Sequence, residues 1–159
     1  MIKIEVVQDN NLWEKKIKKP KLFFNKLISF FPNVYQFKKK HTILTLLLSN
    51  NNYIKKLNYK FRNKNKPTDV LSFPHHAKKE LKKYFKEKKI YLGDIAISYE
   101  YIFIKKNKCL SNQKALIKTF IHGFLHLLGF DHNKIKEFNK MNLTEKKIYN
   151  RIISKIDKT

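Results

Sequence analysis

The chain has 159 residues and carries 36 Lys and Arg against 12 Asp and Glu, a formal charge of +24. Apolar residues at 42% and aromatics at 14% exclude a disordered polymer, and the length suits one domain with one core. No apolar run approaches the ~20 residues of a membrane helix, and a single cysteine, Cys109, excludes an internal disulfide framework and fits a reducing cytosol.

In chain order, residues 2–7 (IKIEVV) alternate Ile2, Ile4 and Val6 with other positions and predict a strand rather than a cleavable signal. Apolar residues over 11–31, Trp13, Phe24 and Phe31 among them, recur at helical spacing in their later part, with Pro20 starting or kinking the helix. HTILTLLLSN, 41–50, is β-branched and then continuously apolar, as a buried strand is. Ser49 and Asn50 to Asn52 are cap residues for a helix through YIKKLNYKF. Beyond Pro67, DVLSFPHH reads as a strand stopped at Pro74. Residues 78–89 form a lysine-rich short helix or loop, YLGDIAIS is a further strand, and 99–107 a helix. Residues 111–128 predict a long helix capped by Ser111 and Asn112 and ended by Gly129 in a left-handed conformation. The last helix spans 134–155, with Ile135, Phe138, Met141, Leu143, Ile148, Ile152 and Ile153 as its apolar positions. Four strands interspersed with helices imply a layered α/β or α+β fold in a single domain over 1–159.

The stretch HGFLHLLGFDH holds three of the chain's six histidines and two of its three glycines within eleven residues. His122 and His126 fall one turn apart on one helix face, near enough to share an ion. Gly129 turns the chain back and brings His132 round as a third nitrogen. Three neutral imidazoles suit zinc with a fourth position left for water, whose pKa the metal lowers to roughly 7. The alternative, histidines packed in the core, would bury two unpaired imidazoles on an apolar helix at high cost. A structural zinc is a minor reading: one cysteine cannot build a thiolate cluster, although Asp131, His75 or His76 could close a shell. Asp131 better suits orienting a ligand. The spacing matches zinc peptidases of the H-E-x-x-H type, but Gly123 stands where their glutamate base belongs, which disfavours peptide hydrolysis.

A second stretch, FRNKNKPTDVLSFP over 61–74, contains Arg62, one of two arginines in a chain whose other cations are lysines. A planar fork binds phosphate bidentately where an ammonium cannot, so this arginine points to phosphate contact, flanked by Lys64 and Lys66. The net charge points to a polyanion, nucleic acid before an acidic membrane surface, since no clean basic amphipathic helix with an aromatic insertion face is present. Part of the lysine excess reflects AT-rich coding, as the abundance of Asn and Ile indicates.

FRNKNKPTDVLSFP, LGDIAIS and HGFLHLLGFDH, in this order and spacing, resemble the YbeY family of bacterial metal-dependent endoribonucleases, or rRNA maturation factors. The resemblance is close over residues 40–145. It implies a small domain with a mixed four-stranded sheet and about five or six helices, its metal site on the helix carrying HGFLH. It implies one zinc ion held by His122, His126 and His132, with His122 and Arg62 as the catalytic pair, Arg62 contacting RNA or stabilising phosphate. The implied reaction is phosphodiester hydrolysis in single-stranded RNA, in small-subunit rRNA 3′-end maturation and ribosome quality control. The small ribosomal subunit and its assembly factors would be partners, in the cytoplasm, with neither DNA nor membrane expected. The chain departs from the family's pattern at Phe130, often tyrosine there, in the less acidic tract after His132, and in the looser lysine segment 78–89. The alternative is a non-catalytic, metal-stabilised RNA-binding ribosome assembly factor, its metal shell closed by a fourth protein ligand.

Overall fold

The computed structural model describes residues 1–9, 11–105 and 111–158. Four strands, β1 (Ile2–Gln8), β2 (His41–Ser49), β3 (Val70–Pro74) and β4 (Lys89–Ser98), form one mixed sheet in the order β1-β2-β4-β3. β1 and β4 run parallel to β2, and β3 runs antiparallel to β4. The helices are α1 (Leu12–Lys16), α2 (Pro20–Ser29), α3 (Asn51–Arg62), α4 (Leu81–Tyr84), α5 (Asn112–Leu127) and α6 (Ile135–Ile156). This is the mixed four-stranded α+β architecture expected. None of these helices is long and apolar enough to cross a membrane.

The period-two pattern of the strands divides the sheet into two faces. Ile4, Leu44, Leu46, Ile95 and Ile97 belong to the main core with residues of α2, α5 and α6. A smaller cluster of Ile54, Leu71 and Ala96 lies with α3. Aromatic rings join α2 and the residues just after it to α5: Phe24 meets Phe120 at 5.1 Å and Phe31 meets Phe124 at 5.2 Å between centroids, the latter edge to face. Trp13 is fully buried and donates its indole N–H to the Ser49 carbonyl at 3.1 Å, tying α1 to the end of β2.

Local sequence accounts for the boundaries. Pro20 opens α2, where its missing N–H costs nothing, and separates it from α1. The Asn50 side chain accepts from Tyr53 N at 3.0 Å at the head of α3, and Ser111 accepts from Lys114 N at 3.3 Å at the head of α5. The segment 99–107 is helical as expected as far as it is described, with a π-helical turn over Tyr101–Lys105, and residues 106–107 lie outside those described.

α6 also departs from its apolar list. Met141, Ile148 and Ile152 are buried, whereas Ile135, Phe138 and Leu143 are exposed. Helical phase explains this: Ile148 and Ile152 lie within about 20° of Met141 around the axis, and Leu143 about 160° away. Glu145 shares the buried stripe, about 40° from Met141.

Candidate metal centre and its cleft

α5 projects His122 and His126 one turn apart from the layer that packs on β3 and β4. The packing is close because position 123 has no side chain. A Cβ there would lie 3.0 Å from Ile95 Cγ2 and 3.1 Å from both Ser72 Oγ and Val70 Cγ2. The Ser72 hydroxyl also donates to the Gly123 carbonyl at 3.1 Å. Glycine at 123 thus lets the helix seat directly on the sheet, and a glutamate would have to displace Ile95 and Val70. Beyond α5, Gly129 has φ +80°, and its N–H donates to the His126 carbonyl at 3.0 Å. That left-handed residue turns the chain so that His132 faces back to the helix.

The three histidines come together. Their ring nitrogens include one from each residue that all lie within 4.8 Å of one another, and His122 Nε2 is 3.1 Å from His126 Nε2. The outer nitrogens have partners: His126 Nδ1 meets the Phe130 carbonyl at 3.0 Å, and His122 Nδ1 meets Glu145 Oε2 at 3.2 Å. A carbonyl only accepts, so His126 Nδ1 carries the proton and its Nε2 is a lone pair. The Glu145 carboxylate likewise favours the proton on His122 Nδ1. Two imidazole lone pairs then face each other at 3.1 Å, an arrangement a cation between them relieves. The spacing is near the edge of about 3.3 Å that zinc–nitrogen bonds of about 2.0–2.1 Å give in a tetrahedron. The donor set therefore fits a divalent metal such as zinc.

Electrostatics favours the neutral ligand form. Burial, followed by the neighbouring His122 and His132, pushes the His126 imidazole down to about 4. Asp131 is drawn below the usual carboxylate range chiefly by the His132 backbone N–H. Its two oxygens accept from His132 N and from Asn133 Nδ2, each at 2.7 Å. Asp131 thus braces the backbone of the turn; the ring-orienting part falls to Glu145 and the Phe130 carbonyl. Glu145 is absent from the sequence expectations, although a carboxylate on the buried stripe of α6 marks it. His75 and His76 stand outside the metal-competent group. His76 instead stacks on Tyr84 at 3.3 Å between centroids, and His75 packs edge-on against Tyr91 at 5.2 Å.

Arg62 ends α3, and it is exposed. The chain leaves the helix through Asn63 at φ +54°, and Asn58 Nδ2 holds the Lys66 carbonyl at 2.7 Å. Arg62 and Lys64 line the same open cleft of roughly 730 Å³ as His126 and His132, with Ser72 and His76 in its wall. The two separated stretches of sequence thus converge on one cavity.

The chain matches the family described as Endoribonuclease YbeY over residues 6–153. It belongs to the YbeY family. An Endoribonuclease YbeY of Pelagibacter ubique is 55% identical over 157 residues, covering 98% of this chain and 99% of that protein. The Buchnera aphidicola YbeY is 39% identical, with 93% and 88% covered, and the Ehrlichia canis YbeY 34% identical, with 84% and 81% covered. The solution structure of TM1509 from Thermotoga maritima shares the fold with a TM-score of 0.54 at 23% identity, over 99% of this chain and 93% of that one.

Proposed function

We propose that residues 1–159 act as one zinc-dependent, single-strand-specific endoribonuclease domain in rRNA maturation. The reading includes 3′-end processing of small-subunit rRNA, ribosome quality control, and the small ribosomal subunit and its assembly factors as cytoplasmic partners. Membership in the YbeY family supports the activity on RNA. The observation that carries the metal dependence is the pair of Nε2 atoms of His122 and His126 3.1 Å apart, His126 lining with His132 a cleft that also holds Arg62 and Lys64.

Zinc at this position supplies Lewis acidity towards a phosphoryl oxygen. His122, His126 and His132 present their free nitrogens to that ion, held in register by Glu145 and by the Phe130 carbonyl. The Arg62 fork pairs with phosphate oxygens and neutralises the charge that develops as the diester is attacked. Lys64 and Lys78, also in the cleft wall, hold flanking phosphates and track the strand. Among the described residues, the metal-competent group comprises the three histidines and no carboxylate, which leaves room for substrate and favours chemistry over a closed structural shell.

The test is cleavage of single-stranded RNA by purified protein, with and without chelator, beside His126→Ala. Loss of cleavage in both the chelated and variant samples is expected. Undiminished cleavage in both would exclude the metal-dependent reading, and metal-tight RNA binding without any cleavage would favour the assembly-factor reading.

A further inference from the structure

Beside the cleft lies a second, smaller pocket of roughly 300 Å³, between α4, the C-terminal end of α5 and α6. It shares Lys78, Gly129, Phe130 and Asp131 with the cleft, so the two cavities adjoin. Its character differs. Leu81, Phe85, Leu128 and Phe130 give it an apolar lining, whereas Lys82 and Lys140 stand at it with no ion pair among the described residues. Its carboxylates are already engaged: Glu137 is paired with Lys78 at 2.7 Å, and Asp131 accepts from His132 N and Asn133. Lys140 lies 5.7 Å from the Phe130 ring centroid, which places a cation beside the aromatic wall.

We infer that this pocket is a base-binding subsite for the nucleotide next to the scissile phosphate, with Lys82 and Lys140 on that nucleotide's own phosphate. This rests on the endoribonuclease reading and names a part of its substrate interface. The apolar walls suit the flat faces of a nucleobase, and flanking ammonium groups suit the phosphate that accompanies each base. The volume falls at the lower end of small-molecule pockets, about 300 Å³, which fits one base and excludes a folded protein partner. The four lining residues shared with the cleft put that base within reach of the strand that Arg62 engages. Gly129 makes the junction between the cavities: a Cβ there would lie 2.6 Å from Leu81 Cδ1 and 3.2 Å from Lys78 Cγ, so the α4 segment can lean in only over a glycine.

The test uses the metal-free full chain, so that binding is read without cleavage. The probes are single-stranded uridine tetranucleotides carrying one 2-aminopurine, and an abasic tetramer of the same length. Wild-type protein is expected to change the 2-aminopurine fluorescence on binding and to hold the abasic tetramer about tenfold more weakly. Leu128→Trp, which fills the pocket, is expected to lose both the fluorescence change and the preference. A Lys82→Met/Lys140→Met double variant keeps the apolar stems and is expected to bind about tenfold more weakly, with a shallower salt dependence. Equal binding of abasic and intact tetramers, or a fluorescence change and affinity unaltered in both variants, would overturn the subsite. RNA cleavage by the metal-loaded wild type is read separately, so loss of the subsite with cleavage intact is distinct from loss of the nuclease reading.

Discussion

Glu145 on α6 and His122 on α5 meet at 3.2 Å, carboxylate to Nδ1, across 23 residues of chain. The contact turns His122 Nε2 inward to within 3.1 Å of its counterpart on His126. It also raises the electron density of the imidazole towards a metal. Glu145→Gln keeps the shape and loses the charge; Glu145→Ala loses both. Metal affinity is expected to fall about 10- to 100-fold in the alanine variant, and by less in the glutamine variant, with the fold retained. Competition with a chromophoric zinc chelator measures this, and unchanged affinity in Glu145→Ala would contradict the orienting role.

The metal-free protein carries a pH signature. His126 is held down to about 4 in the folded chain, below the roughly 6.5 of an unfolded histidine. Between those values the unfolded state binds the extra proton, so stability is full above about 6.5 and is lost as pH falls towards about 4. Urea unfolding of the apo protein across that range is expected to show the loss, and His126→Gln to flatten it. An apo wild-type curve as flat as the variant's would refute the assignment.

Gly123 is a packing residue. Gly123→Ala gains about 1 kcal/mol of helix propensity and meets about 1–3 kcal/mol of crowding against Ile95, Ser72 and Val70, so a net loss of up to about 2 kcal/mol is expected in urea unfolding. Gly123→Glu, which restores the peptidase-like pattern on paper, is expected to destabilise far more and to cleave no casein. A stable Gly123→Glu protein with peptidase activity would reverse this account.

Arg62 is exposed at the end of α3, so its replacement leaves the core alone. Arg62→Lys keeps the charge and loses the bidentate fork. RNA cleavage is expected to drop roughly tenfold or more while the melting temperature stays put. Full activity in Arg62→Lys would reduce the residue to generic charge.

Strand periodicity, the caps at Asn50 and Ser111, Pro20 and the turn at Gly129 made most of the fold legible, because each is a local steric or hydrogen-bonding rule. The histidine trio was legible because helical spacing alone brings two of its members together. What escaped depends on tertiary packing. The faces of α6 follow from helical phase against α5, which an unphased list of apolar residues does not contain. Glu145 lies 23 residues from its histidine, and only docking of two helices joins them. Asp131, a candidate for orienting a ligand, reaches His132 through its backbone N–H and not through its ring, a detail that residue spacing does not contain.

Glu145 also imposes an order on synthesis. The three histidines leave the ribosome before α6 does, so a chain interrupted between His132 and Glu145 has every imidazole yet lacks the carboxylate that aims one of them. With the proposed metal, full affinity is expected only once the last helix docks, so an unfinished nascent chain would hold that metal less tightly than the folded protein.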